Sequence, residues 1–336
     1  MWSNRRHYMK LKEQFAATML AAGNKRSTIK SYWRHVIGFV RFTRKRHGRW
    51  IHPRETNIED VYAWRRHLAS DLQLSPRTQN QAVCAVKFLF ARVLGKPIPE
   101  AEGNPLRAKE SQKCRRRVVA KPDLIRLFNA FRPAERLVPQ LMYASVLRLS
   151  DTLNLRIKDL NFADEQIEIA STKHDHFRIV PFPKSIHDKV RRQIEIAESF
   201  HRDDLVENPN GVPVPHAYAR KCPSAPRDFC WMWLFPSEFL SRDPADGHLK
   251  RYHCDDNHQR RIFREALLRS GIRRRITPHD IRRAAATHLH LSGMPLRRLQ
   301  AILGHNSLDV TQLYILEDEA EINGTHSPFD LLNGVD

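Results

Sequence analysis

Five side chains in this sequence have the chemistry needed to bind a phosphate ester and attack it. A phosphodiester under attack carries negative charge spread over its non-bridging oxygens, and guanidinium and imidazole groups can donate hydrogen bonds to that charge. A tyrosine hydroxyl can serve as a nucleophile that forms a covalent intermediate. The side chains are Arg148, His279, Arg282, His305 and Tyr314.

A helix must position His279 and Arg282. Thr277 and Pro278 form a good helix start, with threonine as the N-cap and proline at the first helical position. His279 and Arg282 lie three residues apart, so they share one face of that helix. Both lie near its N-terminus, which favours anions. A surface histidine and a surface arginine would give the same pattern, so this pair alone leaves both interpretations open.

A second helix must position His305. The pattern predicts a helix from Pro295 to Gly304, a residue suited to a helix C-terminus, and His305 follows directly. A shorter helix starting near Ser307 would carry Tyr314. A histidine just beyond a helix end is often a simple cap, and a tyrosine on an amphipathic helix is usually part of the core. The order and spacing of the whole set are therefore more specific than any one member.

The charge balance indicates a nucleic-acid partner. The 336 residues include 57 Lys and Arg against 37 Asp and Glu, a net charge of +20. Such an excess favours a polyanion over a merely soluble basic protein. Basic residues occur along both halves of the chain, which favours a protein that wraps its nucleic acid.

Other features of the sequence bear on where the protein works. No apolar run approaches the ~18 residues needed to cross a bilayer. The N-terminus lacks the apolar segment of a signal peptide. The five cysteines are scattered and odd in number, which is typical of reduced thiols. We therefore expect a cytoplasmic protein that does not bind membranes.

The spacing of apolar residues predicts two domains joined by a linker. Residues 1–103 have helical periodicity throughout and indicate a four-helix domain with basic exposed faces, in which Ser27 would cap the second helix. Residues 104–118 are polar and without periodicity, as in an interdomain linker. Residues in that linker that could track a phosphate backbone are Arg115, Arg116 and Arg117.

The second domain, residues 119–336, mixes helices with short β-prone runs. Expected helices include residues 135–147 and 185–200, and the short runs indicate a small antiparallel sheet. The predicted fold is therefore two-domain and mainly α, with an α+β second domain. Residues 201–253 form a polar and aromatic segment that is too long for an ordinary connection.

The motifs resemble those of the tyrosine recombinases, also called the phage integrase family. That family's second box reads H-x-x-R, then L-G-H, then a nucleophilic tyrosine, and residues 279–282, 303–305 and Tyr314 match it in order. The first box has an arginine followed by an acidic residue and L-x-L-x-x-x-D, which residues 147–159 match. The resemblance covers nearly the whole chain and implies a SAM-like N-terminal DNA-binding domain followed by a catalytic domain.

The resemblance also implies a role for each side chain. Tyr314 would attack the scissile phosphorus and form a 3′-phosphotyrosyl bond. Arg148 and Arg282 would hold the non-bridging oxygens, while His279 and His305 would add donors and help to handle the tyrosyl proton. Because the bond energy stays in the phosphotyrosine, the reaction would need no metal and no nucleotide cofactor.

A lysine in a β-hairpin turn is the remaining member of the family's set. Lys173 occupies such a turn and would protonate the departing 5′-oxygen as a general acid. The sequence departs from the family pattern beside Lys173 and beside both arginines, but no departure removes a catalytic side chain. Thr172 and His174 stand where glycines usually flank the lysine, Val146 replaces a glycine two before the first arginine, and Arg283 replaces the histidine after the second.

The segment 201–253 resembles the insertion that marks integron integrases within this family. In that group the insertion grips extrahelical bases of a folded single-stranded site. Aromatic residues interleaved with basic ones suit stacking on unpaired bases. The residues in the matching places, which the resemblance implies contact DNA, are Trp231, Pro244, Tyr252 and His253.

The same segment allows two plainer interpretations. Leu234, between two aromatic residues, is expected to pack on the core together with Trp233 and Phe235. A metal site is the other, less favoured, interpretation, because the cysteines and histidines match no tight C-x-x-C pair. The residues that such a site would draw on are Cys222, Cys230, His248, His253, Cys254 and His258.

Three functions compete with an integron-type recombinase. A double-strand-specific integrase or resolvase of the same family would lack a preference for folded single strands. A DNA-binding protein without catalysis would not need the intact set of catalytic side chains. A relaxing enzyme of topoisomerase type would act as a monomer, whereas the tail 317–336 could dock on a neighbour and supports a tetramer on DNA.

Overall fold

The chain divides into two compact units, Met1–Cys114 and Arg115–Asp336. The computed structural model describes residues 2–98, 108, 118–170, 177–208 and 210–315.

The described part of the N-terminal unit is helical. Asn57 begins the third helix with a reciprocal cap, in which its side chain accepts a hydrogen bond from the Asp60 N–H (3.0 Å) and its own N–H donates to Asp60 (3.2 Å). Ser75 caps the fourth helix in front of Pro76. The helices are α1 (Trp2–Ala21), α2 (Arg26–His47), α3 (Ile58–Ser70) and α4 (Pro76–Phe88), which a π-helical turn extends through Leu89–Val93.

Aromatic side chains from all of these helices form the core of the unit. Phe39 packs edge-on against Trp64 at 5.5 Å between ring centroids and against Phe90 at 5.9 Å. The predicted cap at Ser27 is wrong: α2 begins at Arg26, and the N-cap residue Lys25 makes no capping hydrogen bond through its side chain. Ser27 lies inside the first turn of α2, whereas an N-cap residue precedes the helix and has non-helical backbone angles.

The second unit packs helices around a small sheet and a hairpin. Strands β1 (Leu160–Asn161), β2 (Gln166–Ala170) and β3 (Phe177–Pro181) form an antiparallel sheet in that order, and β4 (Pro236–Arg242) pairs with β5 (Leu249–His253). The helices are α5 (Lys121–Ala130), α6 (Leu137–Ala144), α7 (Leu149–Leu153), α8 (His187–Glu207), α9 (His216–Lys221), α10 (Asp256–Arg269), α11 (Pro278–Leu291), α12 (Leu296–Leu303) and α13 (Leu308–Tyr314).

The predicted mainly helical fold with a small antiparallel sheet is confirmed. One predicted helix is shorter than expected, because residues 135–147 contain only α6 after a 3-10 turn. Val146 ends that helix with a φ of +53°, a left-handed conformation that β-branched residues rarely adopt. No helix in the described ranges is both long and apolar enough to cross a membrane.

The segment 201–253 is folded rather than an extended connection. Helix α8 continues to Glu207, beyond the predicted end at residue 200, so the segment begins inside a helix. Met232 and Leu234 then pair with the strand-like backbone at residues 155–157: the Ile157 N–H donates to the Met232 carbonyl (3.0 Å) and the Leu234 N–H to Leu155 (2.8 Å). Trp233, Leu234 and Phe235 are buried, so the expectation that they pack on the core is confirmed.

Candidate active site

Arg282 is buried in the centre of the second unit. Only 1% of the residue is exposed, and its Nη1 and Nη2 donate to the carbonyl oxygens of Val146 (2.8 Å) and Leu303 (2.7 Å). Burial lowers the pKa of Arg282 to about 10, and the nearby charge of Arg148 acts in the same direction. The guanidinium therefore remains charged at neutral pH and lies at a fixed position.

The strained backbone of Val146 is part of this arrangement. Its carbonyl oxygen accepts the Arg282 hydrogen bond, and its positive φ falls where the resembling family has a glycine. A left-handed conformation at a non-glycine residue persists only when its surroundings enforce it. Here the enclosed side chain, which is completely buried, and the Arg282 contact hold it.

Arg148 presents its charge from the start of α7. It is the N-cap residue of that helix, its side chain is 40% exposed, and its Nη2 lies 3.5 Å from the Leu303 carbonyl oxygen. Arg148 and Arg282 thus approach the same carbonyl from two elements. The Arg148 guanidinium is open to solvent and the Arg282 guanidinium is enclosed, so an anion could reach Arg148 while Arg282 stays fixed.

Asp151 joins three arginines and was not among the predicted site residues. Its carboxylate pairs with Arg178, lies 3.6 Å from Arg148 and 3.8 Å from Arg282. A single acidic group thus offsets part of a cluster of positive charge that would otherwise repel itself. The cluster keeps a net positive charge, as an anion site requires.

Arg178 is the second residue that the sequence reasoning missed. It lies on β3 with its side chain 10% exposed, and its Cδ would be 3.1 Å from a Cβ at Gly304. The signal was present in the strand pattern. Arg178 alternates with exposed Phe177 and Ile179 and so shares the inward face of buried Val180.

Tyr314 ends α13 with its hydroxyl enclosed among these cations. The residue is 7% exposed, and its hydroxyl has no hydrogen-bond partner at acceptable geometry among the described residues. The rings of His279 and His305 meet its ring edge-on, at centroid distances of 5.4 and 5.1 Å. The two histidines and the tyrosine that the sequence singled out therefore lie together.

Burial raises the pKa of Tyr314 above its usual value. The positive charges of Arg282, Arg283 and Arg148 act in the opposite direction, in that order of size among the charged neighbours. The phenol is thus the resting form, and the surrounding arginines favour its ionisation.

His305 is held by its backbone and by its ring. Gln300 accepts from its N–H (3.2 Å) and donates its side-chain amide to its carbonyl oxygen (3.0 Å), while the ring Nδ1 lies 3.1 Å from the Thr311 hydroxyl. Burial, then the charges of Arg282 and Arg148, lower the pKa of His305 to about 4. The imidazole is therefore neutral at neutral pH.

Three parts of the predicted site lie outside the described residues. They are Lys173, the linker residues Arg115, Arg116 and Arg117, and the tail 317–336.

Within the segment 201–253, Trp231 packs inside an aromatic and cationic cluster. Its ring lies 4.8 Å from that of Tyr218, and Arg156 and the Lys158 ammonium lie over it at 5.2 and 5.0 Å. Arg156 also stacks on Trp233 at 3.6 Å. Sequence reasoning did not single out these two cations.

Tyr252 and His253 are consecutive in β5, so their side chains leave opposite faces of the strand. His253 meets the ring of Trp233 edge-on at 5.2 Å, and its Nδ1 donates to the Cys254 carbonyl (2.7 Å). Burial and then Asp243, which precedes exposed Pro244 in the hairpin turn, raise the pKa of Tyr252. Tyr252 therefore lies near Asp243, the residue before Pro244, and His253 lies against Trp233.

Buried Arg251 fixes the hairpin to the end of α8. Its Nε and Nη2 donate to the two carboxylate oxygens of Asp204 at 2.7 and 2.6 Å. Its Nη1 donates to the carbonyl oxygens of Ser237 and Glu238. Bidentate pairing of this kind fixes the orientation of the two side chains as well as attracting them.

In the described ranges, no three histidine, cysteine or acidic residues are arranged to hold a metal ion.

Comparison with known proteins agrees with this geometry. Residues 117–321 match the phage integrase family, and residues 11–100 match the N-terminal SAM-like domain of phage integrases. An integrase/recombinase from Escherichia coli is 32% identical over 308 residues, which cover 91% of this chain and 88% of that protein. The chain belongs to the phage integrase family and is a tyrosine site-specific recombinase.

Solved structures share the fold at low sequence identity. The Tn1549 transposon integrase in complex with a circular intermediate DNA has a TM-score of 0.61 at 16% identity, covering 96% of this chain and 97% of that one. A lambda integrase tetramer bound to a Holliday junction has a TM-score of 0.61 at 12% identity, covering 96% of this chain and 79% of that one. These likenesses confirm the fold class.

Proposed function

We propose that Tyr314 is the nucleophile of this recombinase and that the chain is of the integron-integrase type. The observation that carries the catalytic assignment is the enclosure of the Tyr314 ring by His279 and His305, at 5.4 and 5.1 Å, beside buried Arg282. In the reaction, the tyrosyl oxygen attacks the scissile phosphorus, the bond to the 5′-oxygen breaks, and a 3′-phosphotyrosine and a 5′-hydroxyl form.

The arginines stabilise the charge that develops on the phosphate. Arg282 supplies a fixed guanidinium and Arg148 an accessible one, so a non-bridging oxygen can approach Arg148 without moving Arg282. Donors that are already in place require no reorganisation during the reaction. Asp151, which pairs with Arg178, lies near both arginines and holds their guanidinium groups in position.

The proton steps divide between two groups. His279 and His305, whose rings meet the Tyr314 ring edge-on at 5.4 and 5.1 Å, donate to the phosphate and help to carry away the tyrosyl proton. Lys173 delivers a proton to the departing 5′-oxygen as general acid. Attack by a 5′-hydroxyl of a second strand reverses the step and joins new partners, with no metal or nucleotide consumed.

The integron type is supported by residues 201–253. Tyr252 and His253 leave opposite faces of β5, and the His253 ring lies near that of Trp233. Bases that leave the helix of a folded single strand expose flat faces on which such side chains can stack. Each aromatic residue therefore contacts a different extrahelical base rather than sharing one.

A duplex-specific integrase or resolvase is the second candidate. The observation in its favour is the packing of Trp231, whose ring already contacts Tyr218 and the cations Arg156 and Lys158. A ring used in this way stabilises the segment and leaves less surface for a base. Under this alternative, residues 201–253 are a structural addition.

The two domains and the linker bind DNA, and the tail binds another protomer. The basic helical domain of residues 1–103 and the catalytic domain of residues 119–336 hold the recombination site, and the linker 104–118, with Arg115, Arg116 and Arg117, tracks its backbone. The tail 317–336 docks on a neighbouring protomer, so that four copies assemble on DNA in the cytoplasm.

The test compares covalent capture of a folded single-stranded hairpin with capture of the same site as duplex. Trp231→Ala, Tyr252→Ala and His253→Ala should each reduce capture of the hairpin far more than capture of the duplex, because each stacked base contributes about 1–3 kcal/mol. Phe239→Ala is the matched control, since it removes a 75% exposed aromatic residue from the same hairpin. Equal losses on both substrates, at unchanged melting temperature, would support the duplex-specific alternative.

A further inference from the structure

A guanidinium group lies against the ring of Tyr314. The Arg283 Cζ is 5.0 Å from the centre of that ring, within the range of a cation–π contact. Arg283 is on α11, next to Arg282, and is partly buried. Its Nε is enclosed and has no acceptor among the described residues. The contact is thus made by the face of the cation rather than by a hydrogen bond.

We propose that Arg283 is a positioning residue for the nucleophile, which holds the Tyr314 ring from one face and favours its phenolate. This inference rests on the proposed role of Tyr314 as the attacking group. Arg283 itself gives up no proton. The tyrosyl proton passes to the neighbouring histidines and the bond from the tyrosyl oxygen to phosphorus forms. The bond to the 5′-oxygen breaks, and that oxygen takes up the proton that Lys173 delivers.

The direction of the effect follows from the charge on the ring. A cation is attracted to the electron-rich face of a phenol, and more strongly to a phenolate, which carries a full negative charge. A side chain that binds the ionised form more tightly favours ionisation. The contact is close to buried surroundings, where water weakens it little.

Other groups also face Tyr314 and must be separated from Arg283. His279 and Arg282 lie on the same helix as Arg283, His305 follows α12, and Arg148 begins α7. Arg282 and Arg148 bind the Leu303 carbonyl and lie near the Asp151 carboxylate, and the charge of Arg282 acts on Tyr314 more strongly than that of Arg283. Arg283 differs from both because its contact is with the ring itself.

The experiment measures the ionisation of Tyr314 directly in the DNA-free protein. Tyrosine labelled with ¹³C at Cζ gives one NMR signal per residue, and Tyr314→Phe identifies the signal of Tyr314. Arg283→Met should raise the pKa of Tyr314, because it keeps the length of the side chain and removes the charge. Arg283→Lys, which retains a cation, should shift it less. Arg297→Met, which removes an exposed arginine from α12, is the matched control and should leave it unchanged.

Cleavage provides the second readout. Arg283→Met should slow formation of the covalent complex by roughly 2- to 30-fold at neutral pH, the range of a cation–π contact. The rising limb of the pH–rate profile should move to higher pH, and a purely structural contact would not move it. If methionine prevents folding, Arg283→Gln makes the same test with a polar, uncharged side chain.

Two results would overturn the inference. An unchanged pKa of Tyr314 in Arg283→Met would show that the contact does not affect ionisation. Weaker DNA binding with an unchanged pKa would assign Arg283 to a DNA phosphate instead. Failure of the proposed function is distinct from both, because it would appear as covalent complex formed by Tyr314→Phe, while the pKa readout needs no activity.

Discussion

The guanidinium of Arg282 donates a 2.7 Å hydrogen bond to the carbonyl oxygen of Leu303, the last residue of α12. That contact joins the helix carrying His279 to the helix that ends just before His305. Arg148 approaches the same oxygen from α7 at 3.5 Å. One backbone carbonyl therefore sets the spacing of both proposed phosphate-binding arginines and of His305.

Arg148→Ala and Arg282→Ala should each reduce DNA cleavage by ~10² or more, the scale of losing one preorganised charge donor. They should differ in stability. Arg282→Ala removes two hydrogen bonds of a fully buried side chain, to the carbonyl oxygens of Val146 and Leu303, whereas the Arg148 side chain is 40% exposed. Single-turnover cleavage and urea unfolding of both variants check this. Near-normal cleavage by either one would remove that arginine from the active site.

Asp151→Asn should destabilise the protein by about 2 kcal/mol, the scale of a hydrogen bond to a charged group. The amide keeps the shape of the side chain but leaves Arg178, Arg148 and Arg282 without their shared counter-charge. Asp188→Asn is the control, because its pair with Arg191 is at the surface. Urea unfolding in which both variants lose equal stability would contradict a structural role for the Asp151 cluster.

Gly304→Ala should cost more than Gly271→Ala, although both glycines have a similar positive φ of 62° and 68°. Each alanine is strained by about 1–2 kcal/mol in the left-handed region. At Gly304 the new Cβ would also be 3.1 Å from Arg178, whereas space around Gly271 is open. Thermal melting and cleavage measure the difference. If the two substitutions lowered the melting temperature and cleavage equally, the Arg178 side chain would move aside with no loss of stability.

His305 should make the protein less stable at acid pH. Its folded-state pKa of about 4 is below its usual 6.5, so the unfolded chain binds more protons between these values. The contribution of His305 to the free energy of unfolding is fully present above pH 6.5 and is lost as the pH falls to about 4. His305→Gln should remove about 1–2 kcal/mol of that fall, once solvent screening of a half-buried group is allowed for. Urea unfolding at several pH values would contradict this if the two curves stayed parallel.

The sequence was sufficient to predict α11, α12 and α13 and the histidines that meet Tyr314, because the motif spacing matches helical faces. It could not show Asp151 and Arg178 as a joint support, since their contact spans a strand and a helix far apart in the chain. It also could not fix the end of α8. Leu205 and Val206, the apolar residues of 201–207, are exposed and so extend no buried stripe, while Asp204 is held by a tertiary contact with Arg251.

The strained Val146 shows a different limit. The sequence revealed a departure from the family's glycine, but the expected helix over residues 135–147 hid the positive φ. Val146 and Leu147 are apolar and fully buried, so the apolar spacing of the sequence continues past the end of the helix. The helix ends in a local cap, in which Val146 is left-handed and the Leu147 N–H donates to the Met142 carbonyl at 3.0 Å. The contact of the Val146 carbonyl with Arg282 adds to this cap.

The most direct test of the central claim is to trap and map the covalent intermediate. A DNA site carrying a nick that lets the 5′-fragment diffuse away should accumulate protein joined to the 3′-phosphate, and mass spectrometry of the digested complex should place the nucleotide on Tyr314. Tyr314→Phe should bind the same DNA with nearly normal affinity and form no complex. Normal amounts of complex with Tyr314→Phe, or a nucleotide mapped to another tyrosine, would contradict the proposed mechanism.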